Sequence, residues 1–320
     1  MHDPPNQLNR ARPGYTNDEG EARQALETFK YDYVICGAGK LGAAACRELM
    51  RRRPRARVLL IEKEAGPALH QTGHNSGVVH AGVYYEPGSL KARFCRAGVE
   101  AMSTFCRKNG LPFERTGKLL VATEPDEVPR MHALFERCRQ NGLDPEPVKQ
   151  VELTDLEPRI SGLQGFLVRE TAITDYPAVC RALLQEAQTR GAGVRYRSPV
   201  TGITESPGQV ELQTRNSTIK TDRLLVCGGL AADRLARMQG LDIRFRIVPY
   251  RGEYFRLHPR LNGLIQHLVY PIPDPELPFL GVHLTRMCDG TITVGPNAVQ
   301  GWKREGYGRF NFSIRDSVNM

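Results

Sequence analysis

Three histidines, one asparagine, one serine and three glycines fall within the sixteen residues from His70 to Tyr85. The run is His70-Gln71-Thr72-Gly73-His74-Asn75-Ser76-Gly77-Val78-Val79-His80-Ala81-Gly82-Val83-Tyr84-Tyr85. Histidines close together suggest a metal, with His70, His74 and His80 as ligands. No carboxylate or cysteine lies among them, so the expectation is no metal. A plain surface loop fits poorly, because Val78-Val79 and Tyr84-Tyr85 favour burial. The better reading is a loop that wraps a cofactor, offering small polar groups and backbone amides.

A second group is Gly37-Ala38-Gly39-Lys40-Leu41-Gly42. It follows the apolar run Tyr33-Val34-Ile35-Cys36 and opens a helix-like stretch from Leu41 to Met50, stopped by Pro54. Val58-Leu59-Leu60-Ile61 then reads as a second buried strand. This β-α-β order is the context a dinucleotide fingerprint requires. Gly37 permits the tight turn, Gly39 lets the backbone approach a pyrophosphate, and Gly42 allows close helix–strand packing. Glu62 ends the second strand, where a carboxylate binds ribose hydroxyls and repels a 2′-phosphate. NADP is therefore disfavoured, but the fingerprint alone does not separate FAD from NAD. The competing reading is a glycine-rich turn without a ligand. Leu224-Leu225-Val226-Cys227-Gly228-Gly229 gives a second strand ending in glycines, a second backbone approach to the same dinucleotide.

The elements that must position these residues follow from pattern. Helices are expected at Leu90–Asn109, Glu127–Asn141 and Tyr176–Thr189, and strands at 117–123 and 191–196. A mixed, loop-rich stretch covers 152–174. Val210–Thr214 and Ser217–Lys220 read as a hairpin around Asn216, separate from the buried strand 224–227. Strands dominate from Ile243 to Val294. The fold class is α/β: a Rossmann-like domain in discontinuous pieces, with a mostly antiparallel sheet inserted. The expected division is 31–110 and 175–242 for the nucleotide domain, 111–174 and 243–312 for the substrate domain. Residues 1–30 form a disordered tail, with a short helix at 21–29, and 313–320 a C-terminal end.

The chain has 320 residues and a net charge of +9. The excess reads as surface arginine, as in Arg51-Arg52-Arg53-Pro54-Arg55, and no aromatic-basic stripe or zinc spacing supports nucleic-acid binding. No apolar run reaches the roughly 20 residues a membrane helix needs. Eight cysteines without a C-x-x-C pair read as reduced, mostly buried thiols of a cytoplasmic protein. The first thirty residues lack an apolar core for a secretory signal. Asp3, Asp18, Glu19 and Glu21 have the wrong sign for a transit peptide.

Taken in order, these blocks resemble the L-2-hydroxyglutarate dehydrogenase/oxidase family, within the D-amino-acid-oxidase-like FAD superfamily. The resemblance rests on His70–Tyr85 with its continuation Pro87-Gly88-Ser89-Leu90-Lys91-Ala92. It is reinforced by Thr116-Gly117-Lys118-Leu119, Ile247-Val248-Pro249-Tyr250-Arg251-Gly252, Tyr270-Pro271, Pro278-Phe279-Leu280-Gly281-Val282-His283, Gly295-Pro296-Asn297-Ala298-Val299 and Lys303-Arg304-Glu305-Gly306-Tyr307. It implies non-covalent FAD. Gly37, Gly39 and Gly42 would face the pyrophosphate, Glu62 would hold the adenosine ribose, and Lys63 would line the same end. Thr72, Asn75 and Ser76 would line the phosphates and flavin. Val200 would contact adenine through its backbone, and Gly228 and Gly229 would fill the family's second glycine turn.

The reaction implied is oxidation of L-2-hydroxyglutarate to 2-oxoglutarate, with hydride passing from C2 to flavin N5. A base must take the hydroxyl proton, and histidine suits that task near neutrality. His80 is the first candidate and His283 the second; a structural histidine is the competing reading for each. Arg251, Tyr270 and Arg286 are candidates for contact with the dicarboxylate. The electron acceptor is left open among oxygen, a quinone and a carrier protein, as is peripheral contact with the inner membrane. Family members continue beyond residue 320 with a Gly-x-Arg segment and a further glycine-rich turn. The sequence reading therefore expects a truncated chain lacking the last part of the FAD domain. Its alternative is a non-catalytic remnant or a nucleotide-binding module that needs a partner.

Overall fold

The computed structural model describes residues 29–276 and 281–318. Residues 1–28 of the expected tail and its helix, and residues 278–280 of one family block, lie outside this range; Phe29 and Lys30, expected in the tail, begin a strand.

The strand Phe29–Cys36 sits at the centre of a six-stranded sheet, between Thr218–Val226 and Val58–Ile61. Both pairings are parallel, with Cys36 opposite Val226 on one side and Ile61 on the other. Gly193–Arg195 extends the sheet beyond Val58–Ile61, and Gln209–Thr214 and Val200–Ser206 extend it beyond Thr218–Val226. Strand alternation sorts the side chains. Ile35, Val58 and Leu60 turn to the helices Lys40–Arg52 and Tyr176–Thr189, joining Cys46, Met50, Cys180 and Leu184. Val34, Leu59 and Ile61 turn the other way, towards Ile203, Leu212, Ile219 and Leu235. The helix from Tyr176 starts where it does because Asp175 accepts from the Ala178 N–H at 3.0 Å and Pro177 occupies its first turn.

A seven-stranded sheet forms the second layer system, in the order Phe255–Arg256, Ile292–Gly295, His283–Arg286, Leu268–Pro271, Lys118–Ala122, Gln164–Val168, Glu146–Lys149. All its pairings are antiparallel except the join between Leu268–Pro271 and Lys118–Ala122. One face carries Leu120, Phe166 and Tyr270 against Met131, Leu134 and Cys138 of the helix Glu127–Gln140. The other carries Leu119, Leu167 and Val269 against Val148 and Leu153. A three-stranded ribbon of Val78–Val79, Ala172–Thr174 and Phe113–Glu114 anchors the histidine-rich loop between the two sheets in sequence.

Three details differ from the sequence expectation. The predicted hairpin arm and the strand 224–227 are one nine-residue strand, Thr218–Val226, and Leu225 on it is 46% exposed. Polar Thr221-Asp222-Arg223 interrupt its apolar pattern and hide its continuity. The stretch 152–174 contains a helix, Gln150–Leu156, and two strands. Residues 243–249 form no strand; the Ile247 N–H donates to the Asp233 carboxylate at 3.2 Å and the Phe245 carbonyl accepts from Arg237 at 2.9 Å. Among the described residues no helix is long and apolar enough to cross a membrane.

Candidate active site

Two glycine turns meet at the C-terminal end of the central strand. Gly37 has φ +111°, a conformation side chains rarely adopt, and a Cβ there would lie 2.4 Å from the Cys227 carbonyl oxygen. A Cβ on Gly42 would fall 1.9 Å from the Gly37 oxygen, so helix and turn touch without a side chain between them. Gly39 caps the helix Lys40–Arg52 with no side-chain bond of its own, leaving the positive end of the helix on open backbone. Gly228 and Gly229 follow the strand Thr218–Val226, whose pairing brings the second turn beside the first.

Glu62 closes this cradle. It is buried; its Oε2 accepts from the Ala38 N–H at 2.7 Å and its Oε1 from the Glu64 N–H at 2.9 Å. The Ser198 N–H donates to the Glu62 carbonyl at 2.8 Å, which brings the segment leading to Val200 alongside. Thr72 accepts from the Lys40 N–H at 3.0 Å and ties the histidine-rich loop to the helix start. Asn75 holds that loop closed, donating to the Thr72 carbonyl at 2.6 Å and accepting from Gly77 at 2.8 Å. Ser76 is half-buried in the same turn. Lys63 lies between acceptors, its Nζ 2.5 Å from Glu64, 2.8 Å from His70 and 2.8 Å from Glu305. The three loop histidines do not converge on one point. His70 groups with Glu64 and Glu305 around the Lys63 ammonium, His74 stacks on Tyr307 at 3.8 Å, and His80 faces elsewhere.

His80 faces the second sheet. Its Nδ1 lies 3.4 Å from Nζ of Lys118, which is 1% exposed. The Lys118 ammonium group stands over the Tyr270 ring at 3.9 Å and over the Tyr84 ring at 4.9 Å. On its far side Tyr270 stacks on His283 with centroids 3.8 Å apart, and Tyr254 meets His283 edge-on. The Gly281 carbonyl lies 2.9 Å from His283 Nδ1. Burial pushes His80 down to about 3, with the charges of Lys118, His283 and Lys40 adding to it. Burial likewise lowers His283 to about 4, against the pull of the Gly281 carbonyl, and lowers Lys118 to about 7. Both imidazoles are therefore neutral near pH 7. The buried Tyr84 hydroxyl has no hydrogen-bond partner among the described residues.

The other two predicted residues stand apart from this cluster. Arg251 lies on a two-stranded ribbon with Val299–Gln300; its guanidinium is bound to Glu253 and to the Gly308 carbonyl. Arg286 shares a strand with His283, but alternation puts it with Leu284 on the opposite face, and it pairs with Glu114.

The sequence matches the FAD dependent oxidoreductase family over residues 32–317. The L-2-hydroxyglutarate dehydrogenase of Escherichia coli strain K12 is 50% identical over 291 residues, which are 91% of this chain and 69% of that protein. The mitochondrial L-2-hydroxyglutarate dehydrogenase of Homo sapiens is 39% identical over 314 residues, 94% of this chain and 68% of that protein. Among solved structures, the FAD-bound L-alpha-glycerophosphate oxidase of Mycoplasma pneumoniae superposes with a TM-score of 0.81 at 25% identity, covering 89% of this chain and 75% of that one. The chain belongs to the L-2-hydroxyglutarate dehydrogenase family of FAD-dependent oxidoreductases.

The residues of this FAD-dependent oxidoreductase fit its cofactor. Gly37 and Gly42 leave no room for side chains in the cradle, Gly39 keeps the helix start bare, and the positive helix end suits the charge of a pyrophosphate. Glu62, beside Ala38 and the Ser198–Val200 segment, would hold the adenosine ribose. Thr72, Gly228 and Gly229 would line the approach between them. In this oxidoreductase the sequence reading missed Lys118. Its signal was present: a lysine heading the apolar run Lys118-Leu119-Leu120-Val121-Ala122, at the period that buries Leu120 and Ala122.

Proposed function

We propose that this chain oxidises the C2 hydroxyl of L-2-hydroxyglutarate to the ketone of 2-oxoglutarate. The observation that carries the reading is the line of contacts from His80 through Lys118 and Tyr270 to His283, with a neutral imidazole at each end beside the histidine-rich loop. When bound, FAD supplies the acceptor for the C2 hydride at its N5. The protein must orient C2, take up the hydroxyl proton and exclude water.

His80 is assigned the base, since it belongs to the loop that Thr72 ties to the dinucleotide cradle. His283 is second, because the Tyr270 ring and the Gly281 carbonyl already hold it. Tyr270 is assigned to a substrate carboxylate. Arg251 and Arg286 serve there only by leaving Glu253 and Glu114, so Tyr270 is the first of the three to test. Lys63 lines the adenosine end through its cluster with Glu64 and His70, and Asn75 and Ser76 shape the loop near the flavin.

The family name and the basic surface support two further assignments. Electrons pass from the flavin to oxygen, a quinone or a carrier protein. The protein works in the cytoplasm, in peripheral contact with an anionic inner-membrane face.

Purified protein with a stoichiometric flavin band that bleaches on addition of L-2-hydroxyglutarate, but not of the D enantiomer, meets the proposal. A flavin-loaded chain that leaves the substrate untouched overturns it. Turnover with alternative acceptors, and sedimentation with anionic vesicles, decide the acceptor and the membrane contact.

A further inference from the structure

Lys118 is the one lysine among the described residues that is buried. The titratable groups facing it come from every surrounding element: His80 and Tyr84 from the loop, Cys95 from the helix Leu90–Lys108, Cys138 from the helix Glu127–Gln140, Tyr270 and His283 from the neighbouring strands. None of these is a carboxylate. A buried ammonium without a carboxylate is costly, and two ring faces offset that cost only in part. The remaining contact is with the Nδ1 of His80, 3.4 Å away.

That contact admits two arrangements, because one nitrogen must donate and the other accept. If Lys118 is an ammonium it donates, so Nδ1 is an acceptor and the His80 proton sits on Nε2. If Lys118 is an amine it accepts from Nδ1–H, and the Nε2 lone pair is free. Only the second arrangement makes His80 a base at Nε2. The tautomer of His80 is therefore written by the charge of Lys118.

We propose that Lys118 is the positioning residue of the base: as the amine it accepts the Nδ1 proton of His80 and leaves Nε2 open to the substrate hydroxyl proton. The proposal rests on the assignment of His80 made above. In the step, the substrate O–H bond breaks and an Nε2–H bond forms. The Nδ1–H bond breaks and a third N–H bond on Lys118 completes the ammonium. The electron pair left on the substrate oxygen becomes the second C–O bond, and the C2 hydrogen leaves with its own pair to oxidised FAD. Burial supports the amine form, since it brings Lys118 down to about 7.

The test uses the FAD-loaded protein. The kcat/KM of the wild type should rise with pH through about 7 as Lys118 loses its proton. Lys118→Arg fixes a permanent donor against Nδ1 and should lower kcat by roughly 100-fold or more, with the flavin band retained. Lys118→Met should remove the limb near pH 7. Lys118→Ala should recover activity when a small primary amine is added. An independent readout is the ¹⁵N spectrum of the His80 imidazole. In the wild type its Nδ1 and Nε2 signals should exchange character near pH 7, and in Lys118→Met they should not. A Lys118→Arg protein with wild-type kcat, or a His80 spectrum unchanged from pH 6 to 8, overturns the proposal. Where a variant does not fold, the wild-type ¹⁵N titration alone decides. Wild-type holoenzyme inert towards L-2-hydroxyglutarate would fail the functional reading instead, while the tautomer exchange still decides the pairing.

Discussion

Arg304 meets Asp233 with both arms of its guanidinium, Nη2 standing 2.8 Å from Oδ2, and both residues are buried. Nη1 also donates to the Leu230 carbonyl at 2.8 Å, one residue past the second glycine turn. The pair fastens the segment around residue 304 to the helix Ala232–Met238 that follows Gly228 and Gly229. Arg304→Met would leave the buried Asp233 carboxylate with only the longer pair to Arg237 and two N–H donors, a loss of up to about 3 kcal/mol. The urea midpoint should fall and flavin retention should fall with it; an unchanged midpoint would remove the pair from the list of stabilising contacts.

The same carboxylate makes stability acid-sensitive. The bond from Arg304 lowers Asp233 well below the usual carboxylate range; burial opposes it, and N–H groups of Ile247 and Arg234 assist. A group depressed in the folded state contributes fully above its unfolded value, about 3.9. That contribution is lost as the pH falls through the folded value. Unfolding free energy should therefore decline below about pH 4, and Asp233→Asn should flatten that decline while lowering stability at neutrality. Denaturation curves at a series of pH values read both effects.

Two of the three fingerprint glycines should separate folding from cofactor binding. Gly42→Ala forces a Cβ onto the Gly37 oxygen and should destabilise the fold as well as lose FAD. Gly39→Ala meets nothing nearer than Thr72 Oγ1 at 3.4 Å, so the protein should fold, yet the methyl occupies the pyrophosphate's approach. Thermal unfolding together with flavin absorbance distinguishes the two. Equal melting temperatures for both variants would contradict the geometry.

His80→Asn should lower kcat by about 10²–10⁴-fold with FAD retained. His283→Asn, which removes the ring stacked on Tyr270, should raise KM more than it lowers kcat. Steady-state kinetics on both variants checks the order; a larger kcat loss at His283 would exchange the two roles.

Much of this was legible in sequence because close backbone approach leaves few choices. Gly37 and Gly42 sit where only glycine fits, and Glu62 ends the strand where the pattern placed it. The Arg304–Asp233 pair was invisible, as it joins residues 71 apart with no local signature. Lys118 was legible as a letter and not as a site: a lysine opening an apolar run ordinarily marks a strand end in water. Its enclosure comes from residues distant in sequence, among them Tyr270 on the paired strand and the ring of Tyr84. Arg286 was a candidate for carboxylate contact, and strand alternation turns it away from the face of His283 and onto Glu114.

The parallel join of Leu268–Pro271 to Lys118–Ala122 also bears on how the chain is made. Its two strands lie about 150 residues apart, a closure that costs roughly 4–5 kcal/mol of chain entropy. On the ribosome, Gln164–Val168 can cover one edge of Lys118–Ala122 early, while the other edge waits about 100 residues longer. At about 5–20 residues per second that is an interval of roughly 5–20 s. During that interval an apolar strand edge is open to pairing with a neighbour. The nascent chain is thus most prone to aggregation in the interval before Leu268–Pro271 joins Lys118–Ala122.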